Sequence, residues 1–208
     1  MISAEVAAAL APVTGALDGT QAAAGGSIND SCIVSGRDGG RWFLKLNAAS
    51  RADMFAAEFA GLEELGAAKA VRVPRPLAHG AAGDRAYLLL ECLDLAPASA
   101  AAAGALGRQL ADQHRVNQAR FGWRRDNTIG STPQLNGWCD DWAEFWCERR
   151  LGFQLRLARD SGHDPGLLAR GEALLGRIPE LLAGHSPAPS LLHGDLWGGN
   201  WGQLSAGE

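Results

Sequence analysis

Apolar positions change rhythm along this chain, and the changes mark its elements. The first ~20 residues read as a helix closed by a glycine-containing turn. Ala24-Gly25-Gly26-Ser27-Ile28-Asn29 then reads as a flexible loop, and Ser31-Cys32-Ile33-Val34-Ser35 as a short strand. The turn cluster Gly36-Arg37-Asp38-Gly39-Gly40 joins it to Arg41-Trp42-Phe43-Leu44-Lys45-Leu46, giving a β-hairpin. Alternation within the second strand puts Phe43 and Lys45 on the face opposite Trp42, Leu44 and Leu46. From Ser50 to Leu65 the period becomes helical, with Ser50 able to cap and Phe55, Phe59 and Leu62 recurring on one face; Gly66 ends the pattern. Val71 to Pro76 must be extended, because each proline drives its predecessor out of the α region. The run Ala86-Tyr87-Leu88-Leu89-Leu90-Glu91 reads as a buried strand. This half predicts a small, mostly antiparallel sheet with one main helix against it.

The second half is helical. An alanine-rich stretch leads into a helix that reaches His114, and Asp140 to Arg159 forms a long amphipathic helix carrying Trp142, Phe145, Trp146, Phe153 and Leu157. A further helix covers roughly Gly166 to Ala183. Between them, Phe121 to Trp138 is rich in Gly, Asn, Pro and Thr and is too long for an idle connector. The class is α+β, with a sheet-rich lobe over residues 1–93 and a helical lobe over residues 94–208.

Composition narrows the function classes. With 47% apolar residues in 208, the chain can bury a core, and 7 Trp and 6 Phe argue against disorder. Nineteen basic against 23 acidic side chains lack the positive excess that phosphate-backbone binding requires, so no nucleic-acid partner is expected. No apolar run approaches the ~20 residues of a spanning helix, and the N-terminus lacks the basic and apolar parts of a secretory signal. The expected setting is cytoplasmic, without a membrane partner. Cys32, Cys92, Cys139 and Cys147 are irregularly spaced, with no CxxC pair, and read as reduced thiols. Cys32 sits just past the glycine loop, either as an ordinary strand residue or as a thiol whose oxidation interferes there.

The chemistry concentrates in His193-Gly194-Asp195-Leu196-Trp197-Gly198-Gly199-Asn200. An aspartate followed five residues later by an asparagine has the spacing of a kinase catalytic loop. Asp195 is placed to accept the proton of a substrate hydroxyl, and Asn200 to give a neutral oxygen to a magnesium ion carried by ATP. Lys45 lies in an apolar strand, where a charge is costly unless paired. Glu58 on the following helix is the natural partner, with Glu63 and Glu64 as alternatives nearer the helix end. Gly25, Gly26 and Ser27 stand ahead of the lysine strand, where a phosphate-covering loop belongs. Glu91-Cys92-Leu93 either presents a backbone carbonyl and amide to adenine or is a plain exit from the strand.

HGDLWGGN at 193–200, with the Gly25-Gly26-Ser27-Ile28-Asn29 loop, the Trp42-Phe43-Leu44-Lys45 strand, Asn127 to Gln134, Asn136-Gly137-Trp138 and the helix from Trp142, resembles the fructosamine/ketosamine-3-kinase family. The resemblance runs from about residue 5 onward. It implies a protein-kinase-like two-lobe fold and ATP-dependent phosphorylation of the 3-hydroxyl of ketosamines, a deglycation repair activity on small-molecule or protein-bound adducts. By position, Lys45 would hold the α- and β-phosphates, Glu58 would pair with it, and Asp195 would be the catalytic base. Asn200 would bind Mg2+, Gly25 and Gly26 would cover the nucleotide, and Glu91 to Leu93 would form the hinge. Asn127 to Gln134 would line the cleft.

One departure stands out. The family's second metal-binding aspartate, in an Asp-Pro-Ala-like segment, has no counterpart, since no Asp follows Asp195 in the 208 residues. The expectation is therefore an incomplete helical lobe in a truncated chain that binds nucleotide weakly and turns over little. The alternatives are a small-molecule kinase of the aminoglycoside or choline kinase type, against which the Trp197-Gly198-Gly199 insert argues, and a non-catalytic remnant that binds a nucleotide or a partner.

Overall fold

A computed structural model describes residues 2–23 and 28–205. The chain divides into two compact units, Met1–Gln113 with Leu192–Glu208, and His114–Leu191. This division differs from a cut at residue 93.

The first unit is built on a five-stranded antiparallel sheet in the order β1-β2-β3-β5-β4, where β1 is Leu17–Ala22, β2 Asp30–Gly36, β3 Arg41–Ala48, β4 Pro76–Ala82 and β5 Arg85–Glu91. Helix α1 (Ala4–Thr14) covers one face, its Val6 and Leu10 packing with Val34, Leu44, Leu46 and Leu89. Helix α2 (Ala52–Ala68) covers the other, its Phe55 wedged among Ala86, Leu88 and Leu90. The unbroken apolar run of β5 is thereby explained: Tyr87 and Leu89 face α1, and Ala86, Leu88 and Leu90 face α2, so both sides are buried. Full burial of a side chain the size of Phe55 contributes about 2–3 kcal/mol.

Local physics departs from the sequence expectation in several places. Strand β1, where the sequence predicts the end of a helix and its glycine-containing turn, is an edge strand whose Leu-Asp-Gly-Thr-Gln-Ala residues are mostly exposed, so it carries no apolar alternation to reveal it. Ser50 does not cap α2. A 3-10 turn at Ala49–Arg51 runs straight into the helix, and no side chain caps its N-terminus. Gly66 stays inside α2, which ends when Lys69 turns left-handed at φ 53° and its N–H donates to the Gly66 carbonyl.

Beyond β5, strand β6 (Leu95–Ala96) leads to α3 (Ala100–Gln113). Strand β9 (Gln203–Leu204) pairs with β6, and the Ser99 backbone N–H and hydroxyl both donate to Gln203 Oε1, at 3.2 and 2.9 Å. The segment from Leu192 is thus tied back to the exit of the sheet.

The second unit contains a hairpin of β7 (Asn127–Ile129) and β8 (Thr132–Gln134). It continues with α4 (Trp142–Phe145), a π-helical turn at Trp146–Leu151, α5 (Gly152–Asp160) and α6 (Pro165–Leu181). Phe121, Cys139 and Phe145 form its core with Trp142 against them. The expected continuous helix from Asp140 is capped one residue later, by Asp141, whose Oδ1 accepts the Glu144 N–H at 2.7 Å. It is also widened mid-course. The Gly152 N–H donates to the carbonyl of Cys147, five residues back, and a Cβ at Gly152 would collide with that carbonyl. Among the described residues no helix is long and apolar enough to cross a membrane. All four cysteines are free thiols, and burial raises the pKa of Cys32, Cys92 and Cys147 above the ordinary thiol value.

Candidate active site

Lys45 sits on β3 between Ser31 of β2 and Leu88 of β5. Alternation sends its side chain to the α2 face, and α2 is held there by Phe55 and Phe59 against Leu88 and its neighbours. One turn along from Phe55, Glu58 meets it: Lys45 Nζ lies 2.6 Å from Glu58 Oε1, with both side chains about a quarter to a third exposed. Glu63 and Glu64, further along α2, do not make this pair. A partly buried ammonium is held at a fixed height over the sheet, with its remaining N–H donors free to turn toward an anion.

The His193 to Asn200 loop is exposed and organised by its own bonds. Gly194 is left-handed at φ 87°, which turns the chain so that the Asp195 N–H donates to His193 Nδ1 at 3.2 Å. Asn200 Nδ2 donates to the Asp195 carbonyl at 2.8 Å and to Asp195 Oδ2 at 3.0 Å. Because an ionised carboxylate only accepts, the amide nitrogen must face Asp195, and Asn200 Oδ1 is turned away from it as a free oxygen donor. The Trp197 indole lies across Gly199, where a Cβ would strike the ring.

Among the described residues no three His, Cys, Asp or Glu side chains converge to hold a metal. The donor set nevertheless fits magnesium of the kind that arrives with a nucleotide, which takes one or two protein oxygens and completes its shell with phosphate and water. Asn200 Oδ1 is such an oxygen.

Gly25, Gly26 and Ser27 lie outside the described residues. The residues just after them are gripped by side chains that the sequence reading missed. Asn47 Nδ2 donates to the Ile28 carbonyl at 3.1 Å and to Asn29 Oδ1 at 2.7 Å, and Arg85 Nη2 pairs with Asp30 Oδ2 at 2.5 Å. The available signal was Asn47 standing two residues beyond Lys45, hence on the same face of β3.

At the end of β5, Glu91 acts as a clasp. Its carboxylate accepts Arg72 Nη2 at 2.6 Å and the Arg75 N–H at 3.0 Å, while its own N–H donates to the Arg75 carbonyl at 2.9 Å. Burial pushes this carboxyl up, but the two hydrogen bonds and the charges of Arg72 and Arg75 more than offset it and hold the pKa below the ordinary carboxylate value. The Glu91 N–H is thereby spent on the chain itself, and the two residues beyond it, Cys92 and Leu93, are half-buried.

In the second unit, Asn136 anchors the segment that includes the β7–β8 hairpin. It is 3% exposed; its Nδ2 donates to the Arg125 carbonyl and to Asn127 Oδ1, and its N–H donates to Asp126 Oδ1. Arg150, on the π-helical turn, donates to Asn136 Oδ1 at 2.9 Å and to the Leu135 carbonyl at 2.6 Å, with its guanidinium over the Phe145 ring. Burial lowers the Arg150 pKa, partly offset by the charge of Asp126. A groove of about 380 Å³ in this unit runs past Phe121, Asp140, Asp141, Trp142, Pro179 and His185. Asp140 is engaged by Arg120 and Asp141 by the α4 cap, so the groove offers no carboxylate waiting for a ligand.

The chain is similar to known proteins over most of its length. The family model described as "Fructosamine kinase" matches residues 2–208. A Synechocystis protein named "Probable ketoamine kinase" is 42% identical over 186 residues, covering 88% of this chain and 61% of its own length. An Arabidopsis thaliana "Protein-ribulosamine 3-kinase, chloroplastic" is 39% identical over 182 residues, covering 84% of this chain and 56% of its own. The crystal structure of a "putative fructosamine-3-kinase" from Thermobifida fusca superimposes with a TM-score of 0.80 at 31% identity, over 96% of this chain and 69% of that one. One of the same description from Haemophilus somnus gives 0.83 at 26% identity, over 97% and 68%. The chain thus spans about three fifths of the length of these curated relatives.

Proposed function

The chain belongs to the fructosamine kinase family, with its α+β, protein-kinase-like fold, and from that premise we propose that the protein carrying it transfers the γ-phosphoryl group of ATP to the 3-hydroxyl of ketosamines. The observation that supports this most directly is the closed Lys45–Glu58 pair in the same compact unit as the exposed Asp195–Asn200 loop. Lys45 holds the α- and β-phosphates, and Glu58 keeps its ammonium from swinging away. Gly25, Gly26 and Ser27 cover the nucleotide, and the backbone of Glu91 to Leu93 receives adenine. Asp195 accepts the proton of the 3-hydroxyl as that oxygen bonds to the γ-phosphorus and the bond to ADP breaks. Magnesium supplies charge neutralisation on the phosphates when bound, and Asn200 Oδ1 is its protein oxygen. The phosphorylated adduct is unstable and leaves the amine, which makes the reaction a deglycation.

The test is transfer of labelled phosphate from ATP to fructosyl-lysine, ribulosyl-lysine and an aminoglycoside, using the gene product that contains this chain. Label on a ketosamine, lost on Asp195→Asn, is expected. Label on the aminoglycoside alone would move the protein to the other small-molecule kinases of this fold.

A further inference from the structure

We propose that Gln203 is a positioning residue that, through Ser99, fixes where Asp195 stands; the inference rests on reading Asp195 as the base. The His193 to Asn200 loop is exposed, and the bonds that shape it are its own. The Asn200 N–H is also spent inside it, on the Trp197 carbonyl at 2.9 Å. Such bonds give the loop its shape without placing it against the rest of the unit. On the C-terminal side that task falls to β9, which is only two residues long. Gln203 is the first of them, three residues and at most about 10 Å past Asn200. Its Oε1 accepts both the Ser99 N–H and the Ser99 hydroxyl. Because a backbone N–H can only donate, the amide oxygen and not the nitrogen must face Ser99. Ser99 is itself anchored as the cap of α3: its Oγ accepts the Ala102 N–H at 3.1 Å and its carbonyl the Ala103 N–H at 3.0 Å. Little slack precedes Gln203, since a Cβ on Gly202 would stand 3.1 Å from Leu95 Cδ1 of β6. Two residues beyond Gln203, the Ser205 N–H donates to the Asp94 carbonyl at 2.9 Å, and the Asp94 carboxylate accepts Arg41 Nη1 at 3.0 Å. Arg41 opens β3, the strand of Lys45. Asp195 and Lys45 are therefore joined through one bonded frame inside the first unit.

The test is steady-state phosphate transfer from ATP to fructosyl-lysine or ribulosyl-lysine, whichever the parent prefers, by the gene product that contains this chain. Each rate is taken per folded molecule from the variant's own unfolding curve. Gln203→Leu keeps the bulk and loses the acceptor, and should lower kcat about tenfold or more while KM for the ketosamine stays within about twofold. Gln203→Glu keeps an oxygen for both Ser99 donors and should recover kcat to within about threefold of the parent. In an Asp195→Asn background Gln203→Leu should change the residual rate less than about twofold, because the group it aims is gone. Without ATP, amide hydrogen exchange at Asn200 should speed about fivefold in Gln203→Leu and stay parental along β3. Unchanged kcat or parental Asn200 exchange in Gln203→Leu, a loss that Gln203→Glu fails to recover, or an equal loss in the Asp195→Asn background would make Gln203 merely structural and overturn the inference. A parent that transfers no phosphate to a ketosamine, or whose transfer ignores Asp195→Asn, would instead sink the reading of Asp195 as the base, and the Gln203 inference with it.

Discussion

Asn136 and Asn200 each bond a neighbouring polar group through a side-chain amide, but one is spent and the other is not. Asn136 is buried, and all of its groups named above are occupied: Nδ2 by Arg125 and Asn127, Oδ1 by Arg150, and N–H by Asp126. Asn200 is exposed, and its amide nitrogen is committed to Asp195 while its side-chain oxygen faces away. The first arrangement is a structural knot, because a buried polar network is stabilising only when it is fully satisfied. The second has the form of a ligand-binding loop. It draws its aim from local backbone geometry and leaves an acceptor for something outside the chain. The kind of polar contact is the same in both; whether donor and acceptor capacity is exhausted separates architecture from chemistry.

The largest effect is expected at Asp195. Asp195→Asn should lower phosphate transfer by about 10²- to 10⁴-fold, the range for removing a general base. The urea-unfolding midpoint should stay within the ±0.5 kcal/mol typical of exposed substitutions. A large loss of stability would mean that the loop is a structural element after all. At the buried asparagine the expectation inverts. Asn136→Leu strips Arg150 of a partner in a desolvated site and removes the Nδ2 bonds to the Arg125 carbonyl and to Asn127 Oδ1, at a cost of about 2–4 kcal/mol in the same unfolding experiment. Any loss of activity should then follow the folded fraction. A smaller effect is expected at Gly152, where the π-helical turn brings Arg150 into place. Gly152→Ala presses a methyl on the Cys147 carbonyl and should cost about 1–3 kcal/mol.

The parts of this arrangement that could be read from the sequence are those with a one-residue signal. A lone lysine in an apolar strand requires a partner, and helical spacing from Phe55 puts Glu58 on the right face, so the pair could be foreseen before any coordinates. The Asp195 to Asn200 spacing was legible in the same way. Strand β1 was not, since its polar edge residues have no alternation to betray them. The π-helical turn was not, because its apolar residues fit an ordinary amphipathic helix and only the Gly152 to Cys147 hydrogen bond marks the extra residue. The grips of Asn47 on Asn29 and of Arg150 on Asn136 span 18 and 14 residues of chain. Such partners are chosen by tertiary packing, which residue spacing does not encode.

The smallest effect is expected at Glu91, which lies between the two extremes: half-buried, bonded by Arg72 and Arg75, and the first residue of the proposed hinge. Its folded pKa is depressed below the ordinary glutamate value of about 4.3. The folded state therefore binds this proton less readily than the unfolded state does. The stabilisation is complete above the unfolded pKa and is lost progressively as the pH falls from there through the lower folded value. Glu91→Gln should leave stability less dependent on pH below about 4.3, with a loss near neutrality of roughly 1 kcal/mol or less for so exposed an ion pair. Urea midpoints of parent and variant should converge as the pH drops toward 3 and stand furthest apart near 7. Because the adenine contacts assigned to this hinge are made by backbone, the ATP dissociation constant of Glu91→Gln at pH 7 should match the parent's. If affinity falls along with stability, the Glu91 clasp is setting the hinge itself, and this half-buried carboxylate belongs with Asp195 and Asn200 and not with Asn136.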